Sequence, residues 1–182
     1  MKKLLATSLV VLASVVMAQS LPRVPARGAS SVVGEVRVHS RKGVLIEKQV
    51  FGMGKFKHLT IQKIVSKDTS DSSTEGVLGI MTEYKTYDAF SQRTLTIDKT
   101  ELSKLIESLS ILYQKENNRA EVETKYKFRT SNNIEFGGVY NAVSKGWENY
   151  ITLPSRENNI YGYSREELKE LIDLLKKVEK EL

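Results

Sequence analysis

The chain has 182 residues, 40% hydrophobic and 27% charged, the balance of an ordinary globular protein. Its formal net charge of +6 is too mild to imply a nucleic-acid binder unless the charge is clustered, so intracellular nucleic acid is not an expected partner. It has no cysteine, which excludes disulfides, thiolate metal sites and a cysteine-linked lipid anchor.

Residues 1–18 read as a signal peptide. Lys2 and Lys3 form a positive start, and Leu4 to Met17 is an apolar run broken only by Thr7, Ser8 and Ser14. Val16-Met17-Ala18 then offers a cleavage site, with Gln19 as the expected mature N-terminus. The run is shorter than the roughly 20 residues that span a bilayer, and no second long apolar segment follows. The expected location is therefore periplasmic or extracellular, with no membrane span after cleavage. Residues 19–32 hold two of the three prolines and read as a flexible lead-in.

Residues 33–54 look like an N-terminal hairpin. Glu35 to Ser40 alternates, Arg41-Lys42-Gly43 turns, and Val44 to Phe51 returns. Gly52-Met53-Gly54-Lys55 lacks the context of a phosphate loop and reads as a turn.

From residue 55 the chain repeats itself. Asp98 and Ser164 are helix-cap residues, each followed three positions later by a glutamate, Glu101 or Glu167, able to reach back to the cap. The apolar positions Leu102, Leu105, Ile106, Leu109 and Leu112 then match Leu168, Leu171, Ile172, Leu175 and Val178, each pair 66 residues apart. Both sets form one buried helical stripe. At the same offset Tyr84 falls on Tyr150, Met81 on Trp147 and Val77 on Val143. Unit 1 (55–118) is expected to hold strands at 55–66, 76–87 and 93–97 and a helix at 99–116. Unit 2 (121–182) is expected to hold strands at 121–130, 134–143, 147–153 and 159–163 and a helix at 165–181. The polar run 66–75 joins two strands. The fold class is α+β: antiparallel sheet or sheets with helices on one face, built from two tandem strand-strand-strand-helix units that share one domain, plus the N-terminal hairpin.

Catalytic signatures are missing. HExxH, GxSxG, P-loop and GxGxxG patterns do not occur, and His39 and His58 are isolated on expected strands. Asp68, Asp71 and Glu75 do not have the spacing of a calcium loop and read as a solvated turn. No cofactor, metal site or catalytic residue is assigned.

What remains is basic and aromatic. Arg37-x-His39-x-Arg41, Lys55-x-Lys57 and Lys125-x-Lys127-x-Arg129 place cations at period 2, on one face of a strand. Trp147 alternates with Asn149, Ile151 and Leu153 and is expected in the core; Tyr150 is expected on the open face. The candidate binding residues are Lys125, Lys127, Arg129, Lys55, Lys57 and Tyr150. Adjacent rows would hold an anionic polymer, unless Glu121, Glu123 or Glu135 neutralised them. The expected function is an exported, non-catalytic binding module of the bacterial envelope, its partner an anionic polymer, a glycolipid or another envelope protein. The alternatives are a small hydrolase with a carboxylate pair and a structural or inhibitor-like protein-binding domain.

Overall fold

A computed structural model describes residues 32–33, 43–85, 90–118, 120–154 and 159–182. The expected signal peptide, the first arm of the expected hairpin and the Arg37–Arg41 row lie outside them. The described chain is α+β, with two sheets, antiparallel except for the two-residue β1 of the first, each followed by one helix.

In the first sheet, β1 (Val32–Val33) runs parallel to β5 (Phe90–Asp98). Beside β5 stand β4 (Thr74–Lys85), β3 (Leu59–Asp68) and β2 (Ile46–Phe56), all antiparallel, in the order β1-β5-β4-β3-β2. Helix α1 (Lys99–Lys115) follows. The second sheet has the order β6-β7-β8-β9, with β6 (Thr124–Arg129), β7 (Glu135–Asn141), β8 (Gly146–Leu153) and β9 (Asn159–Tyr163), followed by α2 (Arg165–Glu181).

The first arm of the expected N-terminal hairpin lies outside the described residues, and what the structure corrects is the stretch that follows it. The returning arm is part of β2, which pairs with β3 along its length. Gly52 to Lys55 is not a turn. It lies inside β2, where the register shifts between Gly52 and Gly54 as a β-bulge. The reversal comes at Lys57-His58, with Lys57 at φ 53. Lys55 and Lys57 therefore do not form one strand row, and His58 sits in a turn.

Each helix starts at its expected cap. Asp98 accepts from the Glu101 N–H at 2.7 Å, and Ser164 and Glu167 complete a reciprocal capping box. Glu101 does not reach back to its own cap. It accepts from the Ser131 N–H (2.6 Å) and Oγ (3.0 Å) in the β6–β7 turn, while Glu167 also binds Lys57 in the β2–β3 turn. The third-position glutamate of each helix thus grips the first hairpin of the other unit.

Helix packing follows the same exchange. α1 lies on β4 and β5 of its own sheet and on β6 and β7 of the other; α2 lies on β8 and on β2 and β3. The two stripes are buried as expected, and the buried residues form one cluster drawn from both sheets and both helices.

The offset between units is 66 in the helices and last strands, and changes upstream. Ile97 pairs with Leu78 and Tyr163 with Asn149. The first members of these pairs are 66 residues apart and the second 71. Trp147 therefore corresponds to Gly76 and Tyr150 to Gly79. The expected match of Val77 to Val143 fails: Val77 is 5% exposed in β4, whereas Val143 is 93% exposed in a turn.

Candidate functional site

The outer face of the second sheet is built by period 2. Lys125, Lys127 and Arg129 project from β6, opposite Val139, Gly137 and Glu135 of β7, which in turn face Glu148, Tyr150 and Thr152 of β8. All three cations are exposed and converge on Glu135. Arg129 Nη2 lies 2.8 Å from its carboxylate, Lys125 Nζ 3.7 Å and Lys127 Nζ 4.0 Å. The Tyr150 hydroxyl donates to the same carboxylate at 2.8 Å, and Lys125 Nζ lies 5.1 Å from the Tyr150 ring centroid.

Gly137 makes this possible. A Cβ there would stand 2.6 Å from the Tyr150 hydroxyl and 2.6 Å from the Tyr126 carbonyl oxygen, so the ring crosses the sheet where only glycine leaves room. The electrostatics agree with the geometry. The Arg129 hydrogen bond, helped by Tyr150, holds Glu135 below the usual carboxylate range. Burial and Glu135 push the Tyr150 phenol up, and contact with Tyr150, then with Glu135, raises Lys125. Three cations thus face one ionised carboxylate. Beside them lies an open groove of about 560 Å³, lined among others by Lys125, Glu135, Glu148, Tyr150, Thr152 and Ile160.

The other candidates are elsewhere. Lys55 is exposed on β2 of the first sheet, and Lys57 is held by Glu167 of α2. The structure therefore joins Lys125, Lys127, Arg129 and Tyr150 and places Lys55 and Lys57 on the other unit, so the Lys55–Lys57 row expected to stand beside the first for an anionic polymer does not, and Glu135 neutralises part of the row that is present. Trp147 lies half-buried on the inner face, stacked on Tyr126 (5.7 Å between centroids) and edge-on to Tyr140 (5.5 Å).

A second polar constellation escaped sequence reasoning. The Glu116 side chain, just past α1, is 1% exposed, and neither carboxylate oxygen has a hydrogen-bond partner. Around it are Arg165 (Nε to Oε2 3.7 Å), the buried Asn149 amide and the buried Tyr163 hydroxyl, the last two also unpartnered. Burial pushes the Glu116 carboxyl up, against the opposing pull of Asn149 and Arg165. The equivalent positions carry Leu182 at the end of α2 and Leu78 and Ile97 in the first sheet. The available signal was this break in the repeat, a glutamate and a tyrosine at the 66-residue offset from a leucine and an isoleucine.

Among the described residues no helix is long and apolar enough to cross a membrane. Comparison with protein-family models, curated proteins and solved structures finds no match for this chain.

Proposed function

We propose that this chain is an exported binding module of the bacterial envelope. Its ligand surface is the outer face of the second sheet, and its ligand is anionic, of the kind an envelope polysaccharide or glycolipid headgroup presents. The observation that carries the reading is the exposed row of Lys125, Lys127 and Arg129 around one carboxylate; the excess of positive charge lies on this row, while the groove beside it is lined by Lys125 with Glu135 and Glu148. Glu135 orders the three side chains and leaves them exposed. Tyr150 adds a ring edge against which a sugar can pack. Export rests on the n-region, apolar run and cleavage site of residues 1–18.

The test is heparin binding by the protein across a salt series, beside the triple variant Lys125→Gln, Lys127→Gln, Arg129→Gln. Affinity is expected to fall on the order of tenfold for a fourfold rise in salt. The triple variant is expected to bind at least tenfold more weakly at low salt. Equal binding by both proteins, or none by either, overturns the reading. Mass spectrometry of the exported protein is expected to find Gln19 as the N-terminus; retention of residues 1–18 refutes the export claim.

A further inference from the structure

β6 is the first strand of the second sheet, and among the described residues its outer edge pairs with no other strand. Below that edge, on the inner face, a cleft of about 200 Å³ runs between β6 and α1. Ser108, Ile111 and Leu112 line it from the helix, and Tyr126 and Phe128 from the strand. Ile111 is 47% exposed and Tyr126 38%.

The other unit shows what closes such a cleft. Ser108 corresponds to Leu174 of α2, which packs on β2 so closely that a Cβ on Gly54 would stand 3.0 Å from its Cδ1. Phe128 occupies the strand position equivalent to Gly54, and with Ser108 it lines the cleft. Ile111 corresponds to Lys177, so an apolar side chain faces solvent where the second helix carries a charge. The β6 edge thus has a largely apolar cleft under one face, bordered also by Ser108 and Lys127, and the row Lys125, Lys127, Arg129 over the other.

We propose that the β6 edge docks an extended segment of a partner protein, which adds to the sheet as a further strand, with alternate residues apolar and acidic. The N–H and C=O groups that an edge strand leaves outside the ladder are a template for another strand's backbone. Period 2 then sends one set of side chains into the cleft and the other over the basic row. A second copy of this chain does not fit: β6 paired with itself would set lysine and arginine against lysine and arginine. The inference goes beyond the anionic-polymer reading, because a polysaccharide on the outer face uses neither the edge nor the cleft.

The probe is a fluorescent seven-residue peptide alternating glutamate and leucine. It is compared with the same peptide N-methylated at every amide and with a lysine–leucine peptide. The parent peptide is expected to bind, and both controls at least tenfold more weakly. Ser108→Leu, which installs the residue of the other helix, is expected to weaken the parent peptide at least tenfold and leave heparin binding unchanged. Ile111→Lys, at an exposed site, is expected to do the same, and circular dichroism checks the fold of each variant. No binding of the parent peptide, equal binding of the N-methylated peptide, or parent binding unchanged in both variants overturns the proposal. Dimerisation through β6, seen by sedimentation, overturns it too. Heparin binding lost without loss of peptide binding sinks only the polymer reading.

Discussion

Two residues show how single positions carry this structure. Glu116 sits buried where the other unit has a leucine, so its ionised form is costly despite Arg165. Because burial raises its pKa, the folded state holds the proton more tightly than the unfolded chain does. Its contribution to stability is full below the ordinary carboxyl pKa and is lost as pH rises through the raised value. Glu116→Gln mimics the protonated form, and Arg165 keeps its place over the Tyr113 ring, 4.3 Å from the centroid. The variant is expected to match the parent in acid and exceed it at neutral pH, measured by urea denaturation at both pH values. Greater stability at acid pH alone would reverse the assigned sign. Gly137→Ala tests the outer face. The added methyl meets the Tyr126 carbonyl and the Tyr150 hydroxyl, so a loss of about 1–3 kcal/mol is expected, with Tyr150 displaced from Glu135. Unchanged stability would mean that the ring does not lie where the structure puts it.

At the scale of elements, the helices were the most legible part of the sequence. A cap, a glutamate three positions on and an apolar stripe of period 3.6 are local signals, and both helices begin at the expected residue. Leu109 and Leu175 occupy matching core positions, 1% and 0% exposed. Leu175→Ala is expected to cost about 2–5 kcal/mol by chemical denaturation; a cost below 1 kcal/mol would contradict its burial. The strands were legible as strands, but their register was not. The 66-residue match ran upstream on residue type alone, while the hairpin joining β4 to β5 is longer than the one joining β8 to β9. The glycines at 52 and 54 look like a turn in sequence. In the sheet they allow a bulge and the close approach of Leu174, which only the long-range partner reveals.

For the whole molecule, the decisive feature is that each unit lends its helix to the other. α1 covers β6 and β7, and α2 covers β2 and β3, so neither sheet is fully covered by its own helix. Both sheets and both helices share one buried cluster, and unfolding is expected as a single transition, coincident by circular dichroism and Trp147 fluorescence. Residues 121–182 alone, which lack α1, are expected not to fold, and a cooperative melt of that fragment would refute the exchange. The sequence by itself determined the α+β class, the paired helices with their caps and buried stripes, and the basic row on β6. These follow from periodicities of 2 and 3.6 and from cap chemistry, which act within a few residues. Only the tertiary structure decided that Glu135 and Tyr150 gather that row, that Lys55 and Lys57 belong elsewhere, and that Glu116 is buried beside Asn149 and Tyr163. Those facts depend on strand register and on contacts between distant segments, where a shift of one residue turns a side chain to the opposite face.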